Sequence, residues 1–123
     1  MKIKLIYVAC FLSLVVSPLL LQNCSKDKEN DITPPGVITN LRAYPSDTTV
    51  TLAYTLPSDP DLRGVEVTIC NTSNLPFEAS AMYDSISILG LTNGTEYLFS
   101  LKSVDYSNNK SDSVTITATP VAP

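Results

Sequence analysis

The sequence has no histidine and no tryptophan. The first absence removes the side chain that most often carries protons near neutral pH and the commonest metal ligand. With it go serine–histidine and cysteine–histidine nucleophilic sites, because the abundant Ser and Thr have no histidine base. Basic residues are few: eight Lys and Arg stand against twelve Asp and Glu. Nothing in that balance tracks a phosphate backbone, which argues against nucleic acid as a partner. Cysteine occurs only at Cys10, Cys24 and Cys70. None of these forms a CxxC pair, so a cysteine zinc site is unsupported. Glycine is sparse, and no long segment carries a helical period of apolar residues.

The start of the chain is different from the rest. Lys2 and Lys4 precede an apolar run from Leu5 to Leu21 that contains Ser13, Ser17 and Pro18. This is the layout of a secretory signal peptide. The alternative is an uncleaved transmembrane anchor. The run sits at the short edge of the roughly 20 residues a spanning helix needs, and Pro18 works against a continuous helix. Leu21-Gln22-Asn23-Cys24 resembles the bacterial lipobox. Leu21 and Cys24 match that pattern, whereas Gln22 and Asn23 stand where small residues are usual. The resemblance implies a signal peptide over 1–23 and a lipidated N-terminal Cys24 carrying palmitate-type chains. Several acyl chains on one residue hold a protein to a membrane where a single chain is marginal. The expected location is the bacterial cell envelope, lipid-anchored, in the outer membrane or at the cell surface.

Residues 24–33 form the anchor cysteine and a tether. Ser25 to Asp31 is charged and lacks apolar side chains, the composition of a disordered segment. It is either a plain solvated linker or a sorting signal for the cell surface. Cys10 leaves with the leader and Cys24 takes lipid, so Cys70 alone remains and no intrachain disulfide can form. Lys2 and Lys4 also leave, so six basic residues then face twelve acidic ones, a net charge of −6.

From Pro34-Pro35 onward, short strand-like runs alternate with turn signals. Val50, Leu52 and Tyr54 alternate with Thr49, Thr51 and Ala53; Val65, Val67 and Ile69 with Glu66 and Thr68; Ile86 and Ile88 with Ser85 and Ser87. Tyr97, Phe99 and Leu101 alternate with Glu96, Ser100 and Lys102, though Leu98 breaks the polarity. Val114, Ile116 and Ala118 alternate with Ser113, Thr115 and Thr117. A period of two puts each apolar set on one face of a strand. Pro45-Ser46-Asp47, Pro57-Ser58-Asp59-Pro60, Asn93-Gly94 and Ser107-Asn108-Asn109 are turns. The pattern predicts an all-β, antiparallel β-sandwich of about seven strands. Leu41, Val50, Leu52, Val67, Ile86, Phe99, Leu101 and Ile116 are its expected core. Asn71 to Tyr83 is less patterned and has room for a short extra strand.

Three stretches carry a more specific likeness. Pro34-Pro35-Gly36-Val37-Ile38-Thr39-Asn40-Leu41, Thr49 to Tyr54, and Ser58 to Val67 resemble the opening, second strand, and loop with third strand of a fibronectin type III domain. Gly90 to Phe99, continuing through Lys102-Ser103-Val104-Asp105 and Asn109-Lys110-Ser111, is the best match. The resemblance covers residues 34–120, leaving 121–123 as a C-terminal tail, and implies the immunoglobulin-like sandwich. Leu91, six residues before Tyr97, fits that family's tyrosine corner, where a buried ring ties its hydroxyl back to upstream backbone. Tyr54 departs from the pattern by standing where the family usually has Trp; a buried hydroxyl there needs a partner. Asn108 stands where bacterial members often have Gly, and Asn tolerates the left-handed backbone better than most residues.

Chemistry is thin along this stretch. Asp59, Asp61 and Asp105, with Asn108, fall in loops that the resemblance gathers at one pole, as a weak candidate site for a hard cation such as calcium. The competing and preferred reading has them cap turns and bond nearby amides. No spaced calcium-loop motif is present, no cofactor is implied, and a glycosidase would need two carboxylates across a cleft. Cys70 follows Ile69, so strand parity turns it away from the core. Asp47-Thr48-Thr49, Asp84-Ser85-Ile86 and Asp112-Ser113-Val114 resemble a short O-glycosylation motif used in some bacterial envelopes. The expected function is non-enzymatic: a membrane-anchored spacer, or an interaction module for a surface protein or glycan. The alternative is an accessory component of a glycan-handling or hydrolytic surface system, with catalysis on a partner chain. An exposed aromatic platform would favour direct glycan binding. Thr119 to Pro123, directly after the last strand, is the kind of run that often leads into another domain.

Overall fold

The computed structural model of the chain describes residues 30–72 and 74–123. The segment expected to be a signal peptide, Cys24 and the expected tether up to residue 29 lie outside the described residues. Ile32–Pro123 form one compact unit, and every strand among the described residues belongs to it. Among the described residues no helix is long and apolar enough to cross a membrane.

Among the described residues seven strands follow one another: β1 (Thr39–Ser46), β2 (Thr49–Thr55), β3 (Leu62–Ile69), β4 (Phe77–Ser80), β5 (Ser85–Ile88), β6 (Tyr97–Asp105) and β7 (Val114–Ala118). They form two antiparallel sheets, ordered β1-β2-β5 and β4-β3-β6-β7. The all-β sandwich expected from the alternating pattern is the observed fold. The poorly patterned stretch after Asn71 contributes β4.

The period-two pattern becomes the core directly. Val50, Leu52 and Tyr54 of β2, Val65, Val67 and Ile69 of β3, and Tyr97, Phe99 and Leu101 of β6 are all buried in one cluster with Ile38, Ile88 and Leu91. Burying each large aliphatic or aromatic side chain contributes about 1.5–3 kcal/mol. Leu98, the residue that broke the alternation, sits half-buried on the opposite face of β6. Leu41, Ile86 and Ile116, expected in the core, are only partly buried against it. The reason is sheet order: β1, β5 and β7 are edge strands, flanked from one side only, while the central strands β2, β3 and β6 supply most of the fully enclosed positions and β5 only Ile88.

Two irregularities shape the ladders. Asn40 is an extra residue in β1, with φ of 54° where the register shifts between Thr39 and Arg42. Arg63 is the extra residue in β3, where the register with β6 shifts between Leu62 and Gly64. Gly64 then lies so close to β4 that an added Cβ would fall 2.1 Å from the Ala79 carbonyl oxygen. The β3–β4 approach therefore requires glycine at this position.

The two ends of the sandwich are tied separately. At one pole Gly36 N–H donates to Asp59 Oδ2 at 2.9 Å, and Tyr106 N–H donates to the Asp61 carbonyl at 3.1 Å. At the other, Thr48 N–H donates to Asn93 Oδ1 at 2.8 Å, Gly94 N–H to the Pro120 carbonyl at 2.9 Å, and Val121 N–H to the Ser46 carbonyl at 3.2 Å. β1 starts at the first pole and β7 ends at the second.

The core contains two buried tyrosines whose hydroxyls differ. Tyr97 packs 6.3 Å from the Phe99 ring, beside buried Leu91, and its hydroxyl oxygen accepts the Thr92 N–H at 2.9 Å. The Tyr54 hydroxyl is buried with no hydrogen-bond partner among the described residues. Burial pushes the Tyr54 pKa above the usual phenol value, and the nearby Asp84 charge adds to the rise. The two phenylalanine substitutions should therefore differ in sign. Tyr97→Phe should cost about 1 kcal/mol through the lost bond, whereas Tyr54→Phe should be neutral or stabilise by about 1 kcal/mol. Because the folded pKa of Tyr54 is raised, its neutral form contributes stability that is fully present below about pH 10 and is lost as pH rises through the folded value. Urea midpoints at neutral pH and above pH 10 check both points: Tyr54→Phe should lose less stability on alkalinisation than the wild type.

Candidate functional site

The acidic pole is assembled by three connections: Pro34 to Ile38 leading into β1, the β2–β3 loop, and the β6–β7 loop. The β2–β3 loop turns through a Leu62 N–H bond to the Asp59 carbonyl at 3.3 Å. The β6–β7 loop returns through a single bridge between Val104 and Lys110. Between them Asn108 adopts φ of 64°, the left-handed conformation that favours Gly or Asn.

Asp105 organises this loop. It is fully buried at the end of β6. Its Oδ1 accepts the Ser107 and Asn109 backbone N–H groups at 2.9 and 2.8 Å, and its Oδ2 accepts Asn109 Nδ2 at 2.9 Å. A buried carboxylate is costly unless such donors replace its water. These three donors come from the residues that follow it, so the buried carboxylate holds its own loop closed.

The other candidate residues separate. Asp61 and Asp105 bring carboxylate oxygens within 4.8 Å of each other. Asp59 turns away to hold Gly36, and Asn108 Oδ1 accepts from Arg63 Nη1 at 2.6 Å. The four residues named from the sequence share one pole but do not converge on one point. Arg63, which the sequence reading passed over, links the elements instead. Its Nε and Nη2 donate to Glu78 Oε1 and Oε2 at 2.8 and 3.3 Å while Nη1 reaches Asn108. Its only sequence signal is its place beside the bulge glycine. Lys110 completes the face with a 2.7 Å bond to Glu66. Both ion pairs are partly solvated and each contributes roughly 0–1 kcal/mol.

Hydroxyls also close this end. Ser103 and Ser111 are buried; Ser103 N–H donates to Ser111 Oγ at 3.0 Å, and Ser103 Oγ donates to the Gly36 carbonyl. Strand parity marks Ser103 as inward-facing, but its partner Gly36 lies 67 residues away and carries no sequence signal. Cys70 is exposed, as its parity predicted. Tyr44, Tyr83 and Tyr106 are exposed on different elements: β1, the β4–β5 connection and the β6–β7 loop.

The polar residues at this pole build loops. Asp105→Ala should therefore destabilise the fold by about 1–3 kcal/mol, by leaving part-buried amides of the loop unpaired, and Asp105→Asn by less, because it keeps an acceptor. Thermal unfolding of the two variants, each with calcium and with a chelator, checks the assignment. A midpoint unchanged by calcium is the outcome expected of a turn-capping carboxylate.

Comparison with known proteins places this architecture. The family described as Domain of unknown function (DUF4959) matches residues 35–120. No curated protein matches the chain. Among solved structures, the fibronectin type III domain of human collagen alpha-1(XX) is similar at a TM-score of 0.63 and 14% identity, over 78% of this chain and 94% of that one. Chitinase ChiA74 from Bacillus thuringiensis is similar at a TM-score of 0.66 and 25% identity, over 76% of this chain and 14% of the chitinase. The Clostridium perfringens spore cortex lytic enzyme SleM is similar at a TM-score of 0.60 and 21% identity, over 71% of this chain. The chain spans only 29% of that enzyme's length. With the fold, the ordered strands and the family match in agreement, this chain belongs to the DUF4959 family, and residues 35–120 form a fibronectin type III-like β-sandwich.

Proposed function

We propose that the protein is a lipid-anchored module of the bacterial cell envelope. In this reading it is acylated at Cys24 and serves without catalysis as a spacer or interaction domain. The observation that carries the reading is how the polar side chains are used. Asp59, Asp105 and Asn108 each hold a loop to the sandwich, and Ser103 and Ser111 bond each other and Gly36. These residues rigidify the end of the domain that the tether enters. The lipobox-like Leu21 and Cys24 and the charged Ser25 to Asp31 support the anchor. The pole holding Gly36 and Asp59 then faces the membrane, and the pole where Asn93, Thr48 and Pro120 meet faces outward.

Metabolic labelling with a clickable palmitate analogue checks the anchor. Label and membrane retention should both be lost in Cys24→Ala, and globomycin should block maturation. In a Cys70→Ser background, Thr95→Cys at the outer pole should react with an impermeant maleimide on intact cells faster than Ser107→Cys at the inner pole. Faster reaction at Ser107→Cys would reverse the orientation.

The second reading is an accessory role in a glycan-handling system, with catalysis on a partner chain. It is favoured by the likeness to sandwiches within a chitinase and a spore cortex lytic enzyme, and by the exposed Tyr83 and Tyr106. The backbones of Arg63 and Asp61 bond Ala81 and Tyr106, which sets both tyrosines near the same pole. Aromatic faces of this kind stack on sugar rings. Retention of the purified domain on insoluble chitin or peptidoglycan, lost in Tyr83→Ala/Tyr106→Ala without a change in melting temperature, is the expected outcome if the domain binds glycan directly. No retention would leave the spacer role.

A further inference from the structure

We propose that Thr48, Ser85 and Ser113 are attachment sites for O-linked glycan. The three triplets Asp47-Thr48-Thr49, Asp84-Ser85-Ile86 and Asp112-Ser113-Val114 are far apart in sequence, yet the fold puts them in the same local setting. Each straddles the entry into a strand: Thr49 opens β2, Ser85 opens β5, and Val114 opens β7. In each, the aspartate and the hydroxyl residue are exposed and the third residue is half-buried. The third side chain anchors the triplet on the sheet while the first two stand in solvent.

The hydroxyls are also chemically available. Thr51 and Ser87 bond each other, and Ser103 and Ser111 are buried in hydrogen bonds. By contrast, the hydroxyls of Thr48, Ser85 and Ser113 make no hydrogen bond within the described residues. Thr48 is held by its backbone alone, through Asn93 Oδ1 and Leu91 N–H, which leaves its side chain free at the hairpin tip. An acidic residue one position before each hydroxyl gives a transferase the same charge to read at all three places.

Placement adds a physical consequence. β5 and β7 are edge strands of their sheets, and Thr48 follows edge strand β1. Unpaired edges are where β-sandwiches aggregate, and bulky polar groups there block strand addition. Glycans at these three points would guard an edge of each sheet.

In the transfer step, the hydroxyl oxygen attacks the anomeric carbon of a sugar activated as a pyrophosphate-linked donor. The carbon–oxygen bond to the protein forms as the anomeric carbon–phosphate oxygen bond breaks. The pyrophosphate leaves with the bonding pair, and the hydroxyl proton passes to a base on a separate glycosyltransferase. The inference rests on the proposed export, since the motif it resembles is an envelope motif.

The test is intact-mass analysis and glycopeptide mapping of the full chain purified from its native cells. It is run beside the acyl label on Cys24 and membrane fractionation. The expected result is added hexose-type mass on the wild type, lost by mild alkaline β-elimination and absent from Thr48→Ala/Ser85→Ala/Ser113→Ala. Thr48→Ala/Asp84→Asn/Asp112→Asn keeps Ser85 and Ser113 and should also be unmodified, with an unchanged melting temperature. Acylated, membrane-bound chain with no added mass, or with glycan only at other hydroxyls, overturns this inference alone. Glycan that persists after the aspartate changes overturns it as well. Unprocessed cytoplasmic chain with no added mass overturns both it and the export reading.

Discussion

The enclosure of β6 between β3 and β7, with its inner face in the core it shares with β2, is the constraint on which the rest of the sandwich depends. β6 is the longest strand and the one whose inward residues are buried from end to end: Tyr97, Phe99, Leu101, Ser103 and finally Asp105. With no disulfide within the described residues and no tryptophan in the chain, cohesion comes from this apolar interdigitation. The same strand delivers both ends of the domain. Its first residue ties down the turn before it through the Tyr97 hydroxyl, and its last closes the loop after it through the Asp105 carboxylate.

The polar residues follow from that arrangement. A strand buried for its whole length brings backbone and side-chain polar groups out of water, and each must find a donor or acceptor. Ser103 finds Ser111 and Gly36; Asp105 finds its own loop. Tyr54, the residue in the place of the usual tryptophan, has a phenol where the pocket offers no partner. Its ring fills the space between the sheets while its hydroxyl is the one buried side-chain polar atom without a bond among the described residues.

The fold was largely legible in the sequence because alternation of apolar and polar residues is a local signal. It marked the strands and even the parity of Cys70. It could not tell central strands from edge strands, since sheet order is a long-range property; Leu41, Ile86 and Ile116 look like Leu52 in sequence and differ only in what covers them. The candidate site was legible in part. Turn residues put Asp59, Asp61 and Asn108 in loops, and the resemblance to fibronectin type III domains implied one shared pole for them and Asp105, but the partner of each depended on loop closure. Arg63 and Gly36 enter the site through tertiary contacts that no short motif encodes. The close approach of Gly64 to Ala79 was likewise invisible until β4 was in place.

The opposite placement of the first and last strand ends has a mechanical meaning. β1 begins at the Asp59 pole, and β7 runs in the same direction to finish at the Asn93 pole. Tension applied between those two points runs along the strands. It loads the ladders of β1 with β2 and of β6 with β7 in shear, so that several backbone hydrogen bonds must yield together. A β-sandwich pulled across its strands would instead unzip one bond at a time. The Val121 bond to Ser46 and the Gly94 bond to Pro120 lie at the exit point, where they act as a clasp that must open before β7 can slide. The domain is thereby strung in the direction in which it resists stretching.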